Sequence, residues 1–141
     1  MIQCGRFALS RLKNVTMRLF LRPALVLAGA MIGTPLAASS PVTLICPENP
    51  VPAMARLCAA LEAGLRDRGY RPQAGGGAPL RLIVEADSPG PGVLNARLIV
   101  EQDGSRQVGE QGQITVIDRD SIPFAQIEQF AGTLLQRAIG P

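Results

Sequence analysis

The chain has 141 residues, 14 Lys and Arg against 11 Asp and Glu, no histidine, and a formal net charge of +3. A chain this short supports one small core beside a leader, and the lack of histidine removes the commonest general base and metal ligand near neutral pH. Five of the cations (Arg6, Arg11, Lys13, Arg18, Arg22) precede residue 39. After it, 9 arginines face 11 carboxylates, a balance of 9 − 11 = −2, so the basic excess belongs to the leader and gives no ground for nucleic-acid binding.

Met17–Arg22 reads Met-Arg-Leu-Phe-Leu-Arg, a short positive region. Ala24–Gly33 is uncharged and apolar, yet shorter than the about 20 residues that span a bilayer. Pro35 and the small residues Ala37, Ala38, Ser39 and Ser40 follow. These are the three parts of a bacterial secretory signal, with cleavage expected after Ala38. The reading is residues 1–38 as a signal peptide and 39–141 as a single small domain, secreted or periplasmic, with no stable membrane span once the signal is removed. An uncleaved membrane anchor is the alternative. A lipoprotein would need a cysteine where Ala37 and Ala38 stand. Residues 1–16, with Cys4 and Lys13, make a long preface, and Met17 is the expected translation start.

Val42–Cys46 is an apolar run that reads as a first strand. Pro47–Pro52 is a proline-rich loop in which Asn49 or a neighbour can cap the next helix. Met54, Leu57, Cys58, Leu61 and Leu65 then recur at helical spacing, until Gly69 and Pro72 end the helix. Gly75–Gly77 lacks the following helix and Lys-Ser/Thr pair of a phosphate loop and reads as a flexible connection. Leu80–Ala86, Val93–Glu101 and Gln107–Ile117 read as three meandering strands separated by turns at Ser88–Gly92 and Asp103–Ser105. Pairing Ile83 with Ile99 sets Glu85 opposite Arg97 and Arg81 opposite Glu101, two favourable cross-strand pairs. Gly109 and Gly112 mark places for bulges, with Ile114 and Val116 pointing inward. Asp118–Ser121 supplies a cap for a last helix, with Pro123 in its first turn and Ile127, Phe130, Ala131, Leu134 and Ala138 as its apolar face. The expected fold is α+β in the order β-α-β-β-β-α: two helices on one face of a four-stranded mixed sheet. The first strand runs parallel to the second, beside either the second or the fourth.

This topology gathers Glu48, Asp87, Asp118 and Asp120 at the end where both helices start. Arg66, Arg68, Arg71, Arg81, Arg106 and Arg137 gather at the other. Complementing the helix dipoles explains the asymmetry without a ligand; an anionic molecule or partner held by Arg66, Arg68, Arg71, Arg106 and Arg137 is the functional alternative. Calcium would need 6–8 oxygen ligands in a recognisable loop, and none is written here. Cys46 and Cys58 lack Cys-x-x-Cys spacing, and in an oxidising compartment they are expected to form a structural disulfide. The uncovered sheet face is expected to expose Ile83, Ile99 and Ile117 among charged neighbours, a surface for a protein partner or for self-association. No catalytic, metal or cofactor motif stands in the chain. The expectation is a non-enzymatic periplasmic binding or accessory module. A small enzyme or ligand-binding protein and a structural envelope component are the alternatives.

Overall fold

The protein is described by a computed structural model over residues 38–140. Residues 1–37 of the expected signal peptide, with Cys4 and the expected start at Met17, lie outside the described residues. Eight elements follow in order: β1 (Ser40–Ile45), α1 (Pro52–Asp67), β2 (Tyr70–Gln73), β3 (Leu80–Gly90), β4 (Val93–Gln102), β5 (Ser105–Val108), β6 (Gly112–Thr115) and α2 (Phe124–Ile139). The class is α+β, as expected, but the mixed sheet has six strands instead of four. Its order is β2-β1-β3-β4-β5, with β6 also on β4.

Both helices lie on one face. Leu57, Leu61 and Leu65 of α1 and Ile127, Ala131, Leu134 and Leu135 of α2 are buried with Val42, Leu80, Leu82, Val84, Leu94, Ala96 and Leu98 of the sheet. The period-3.6 and period-2 patterns meet in this one core. Where the helices cross, Arg68 binds both: its Nη1 donates to the Gly64 carbonyl (3.0 Å) and its Nη2 to that of Gly132 (3.4 Å). Neither helix has the side-chain cap expected from Asn49 or from Asp118–Ser121. Those residues stand too far upstream. The starts are made by proline, with Pro52 in the first turn of α1 and Pro123 immediately before α2, where a fixed φ suits helix entry.

Two strand differences shape the surface. The first is β2, a four-residue strand that contains the proline expected only to stop a helix. It pairs in parallel with Ser40–Thr43 of β1, while β3 pairs in parallel with the other side of β1 through Val42–Ile45. β1 is therefore flanked on both sides, and the chain passes from β2 to β3 across it in residues 74–79. That passage lies on the face away from the helices. Thr43, opposite in parity to the core residue Val42, donates its hydroxyl to the Gly75 carbonyl at 3.1 Å and is only 2% exposed. Gly75 (φ 92°) and Gly77 (φ 158°) supply backbone angles that side-chain-bearing residues rarely take. The chain leaves β1 over one face as α1 and returns over the other as the glycine loop. Because direction and face both reverse, the two crossovers have the same hand.

The second is a break in the expected last strand. Val108 pairs with Ile99, whereas Gly112 pairs with Ala96, so one extra residue lies between β5 and β6. This is a bulge, and it reverses which residues face the core. Gly109 lies within it, where an added Cβ would come within 2.7 Å of the Leu98 carbonyl oxygen. Ile114 opposes Leu94 on the core side, as expected, while Val108 is turned to the outer face.

Candidate functional site

The outer sheet face is organised in rows. Ile45, Ile83, Ile99 and Val108 are successive register partners across β1, β3, β4 and β5. One flanking row is Thr43, Arg81, Glu101 and Arg106; the other is Glu85 and Arg97. Both cross-strand ion pairs are present in the expected register. Arg81 Nη1 lies 2.9 Å from Glu101 Oε2 and Arg97 Nε donates to Glu85 Oε2 at 2.6 Å; Arg106 Nη1 adds a third bond to Glu101 at 2.7 Å.

These pairs change the expected exposure. Ile99 is 1% exposed, not a surface residue. Its register neighbours are Ile83 and Val108, and the long side chains of Arg97 and Glu101 flank it two residues away on β4, drawn across the sheet by their partners. Charged heads in water with apolar stems laid over a neighbour account for such shelter. Ile83 is half-buried. Ile117 lies beyond β6 in the loop to α2, where it is 80% exposed and belongs to no strand. The continuous isoleucine stripe expected on this face is therefore absent. Val108, unnoticed in the sequence because the bulge reverses its side, is its exposed member at 53%.

The two ends of the sheet differ. The arginines do collect at the helix C-terminal end, but they are spent within the protein. Arg66 pairs with Glu62 at 2.5 Å, Arg68 joins the helices, Arg106 holds Glu101, and Arg137 lies 3.9 Å from Glu110. Of the five expected to hold an anion, Arg68 meets only carbonyls, and Arg71 alone forms neither an ion pair nor a side-chain hydrogen bond among the described residues.

At the helix-start end, Glu48, Asp118 and Asp120 form no ion pair among the described residues, and Asp87 accepts a hydrogen bond from Asn95 Nδ2 at 3.0 Å. Arg56 and Arg119 stand at the same end, leaving 2 − 4 = −2. Three large apolar side chains are bare there: Val51 (45% exposed) before α1, Phe124 (52%) at the start of α2, and Ile117 in the loop between β6 and α2. A cleft of about 430 Å³ opens among the lead-in to α1, the β3–β4 turn and the lead-in to α2. Its walls include Val51, Pro52, Pro91 and Ile122, with Arg56 and Asp120 as the charged groups. Ser88, also on the wall, is engaged by the carbonyls of Gly90 and Val93, 3.0 and 2.8 Å from its hydroxyl. That hydroxyl shapes the turn. No cluster of three metal-ligating side chains occurs among the described residues.

Cys46 and Cys58 are bonded, with Cα atoms 6.3 Å apart. The bridge ties the exit of β1 to the second turn of α1 and borders a groove with Leu44, Ala55, Ala59 and Pro72. No described helix is long and apolar enough to cross a membrane. No protein-family model and no curated protein matches the chain.

Proposed function

We propose that the chain is exported from a bacterial cell and works as a non-enzymatic binding or accessory module, engaging a protein partner through the helix-start end of its sheet. The observation that carries this reading is that bare Val51, Phe124 and Ile117 all fall at that end, with Val51 on the wall of an apolar cleft. Exposed apolar side chains grouped together mark contact surfaces, whereas single ones scattered over a surface carry no meaning. The arginine end and the sheet face are weaker supports, because their charges already have protein partners and Ile99 is sheltered. The disulfide, the short apolar leader and the small residues before Ser39 together support export to an oxidising compartment.

Two measurements test it. N-terminal sequencing of the protein recovered from the periplasm or medium should begin at or within two residues of Ser39; recovery only from cytoplasm with an intact leader would remove export from the reading. Affinity capture from periplasmic extract with the native protein should enrich a defined protein set. The double variant Val51→Asp, Phe124→Asp should lose it while keeping its fold. An unchanged set would move the contact elsewhere.

A further inference from the structure

We propose that the protein pairs with a second copy of itself through the free edge of β5, antiparallel, about a twofold axis beside Val108. All four residues of β5 are exposed, and no described strand lies on its outer side. The Gly109 N–H donates to the Leu98 carbonyl at 2.9 Å, in the same register that pairs Gln107 with Val100. In an antiparallel ladder, alternate residues address alternate sides. Residues 105, 107 and 109 thus face β4, leaving the N–H and C=O of Arg106 and Val108 directed outward.

Side-chain chemistry selects the register. Centred on Val108, the pairing sets Val108 against its copy and Arg106, whose guanidinium has donors beyond the one on Glu101, opposite Glu110 of the other chain, in the bulge just past β5, twice by symmetry. Glu110 is available for this: its side chain is exposed and its own contact with Arg137 is loose, at 3.9 Å. Centring on Gln107 instead would set Arg106 against Val108 and lose both ion pairs. The opposite edge of the sheet, β2, carries Pro72, whose missing N–H discourages edge pairing; β5 contains no proline. In the pair, the row Ile45–Ile83–Ile99–Val108 would run on into the same row of the second copy. A strand this short buries less than the roughly 800 Å² per partner of a standard stable interface, so the association is weak and depends on concentration. It uses a different surface from the helix-start end and is independent of that reading.

Sedimentation of the purified protein from about 10 μM to about 1 mM, the range of weak complexes, tests the proposal, with far-UV circular dichroism as the fold check. The expected result is a mass rising from one chain toward two. Val108→Pro removes an N–H that faces away from β4 and should hold the protein at one chain. Glu110→Arg should weaken pairing by about tenfold by setting like charges opposite each other, and adding Arg106→Glu should restore it. A single-chain mass throughout, pairing that survives Val108→Pro, or no recovery in the double variant would each overturn the proposal. Loss of capture by Val51→Asp, Phe124→Asp, with the mass unchanged, would separate the two interfaces.

Discussion

The outer sheet face and the helix-start end both present large apolar side chains at positions without a covering layer of secondary structure, yet they treat them differently. On the sheet face, Arg81, Arg97, Arg106, Glu85 and Glu101 reach across strands to one another and close over Ile99. At the helix-start end, Val51, Ile117 and Phe124 stay exposed, and Glu48, Asp118 and Asp120 form no ion pair among the described residues. An apolar residue on an open sheet is therefore not an exposed one when its same-face neighbours are long, oppositely charged and in register. The first region behaves as a thin second core; the second is a surface.

Substitution can break this distinction. The largest effect is expected at Ile99: Ile99→Lys buries an unpaired charge and should cost at least about 3 kcal/mol in chemical denaturation, and Ile99→Ala about 2 kcal/mol or more. A cost below about 0.5 kcal/mol for either would mean that the ion-pair cover does not exclude water. Next comes the disulfide. Cys46→Ser with Cys58→Ser should lower stability by about 3 kcal/mol, the entropy of closing a loop of this length; a loss under about 1 kcal/mol would mean the connection is already held by packing alone. Thr43→Val keeps the shape but removes the hydroxyl that meets the Gly75 carbonyl, and should cost about 1 kcal/mol. Arg97→Ala is expected to cost less than about 1 kcal/mol, since both partners are substantially solvated, with a difference from native that shrinks in high salt. Smallest of all, Val51→Asp with Phe124→Asp should shift stability by no more than about 0.5 kcal/mol while abolishing partner capture. A large loss of stability there would make that end part of the core.

Much of the fold was legible because it rests on local signals. The helix periodicities, the hairpin register of β3 and β4 and its ion pairs all follow from spacing and charge. The features that were missed depend on distant parts of the chain. Tyr70–Gln73 is only four residues long and carries a proline, so only its place beside β1 makes it a strand. The bulge at Gly109 was foreseen, but not its consequence, which is that the added residue reverses the side of Val108. Shelter of Ile99 requires three cross-strand contacts at once, although two were foreseen. The placement of the arginines was readable, but their partners were not: Arg68 finds carbonyls on both helices and Arg137 a carboxylate in the bulge. For the helix-start end, the signal in the sequence was Val51 and Phe124 beside loop prolines and Ile117 before Asp118, scattered until the topology brings them to one end.

The enclosure of β1 bears on the order in which the molecule assembles. The strand nearest the start of the described chain has β2 and β3 at its sides, α1 on one face and residues 74–79 on the other. A segment surrounded in this way has to be in position before the last of its neighbours closes, and it cannot be released without opening them. Amide protons in Val42–Leu44 should accordingly exchange only with global unfolding, slower than those of β5, and removing residues up to Val42 should leave no folded remnant. The nascent domain then stays open until residue 80 is available, a delay compatible with the export proposed above.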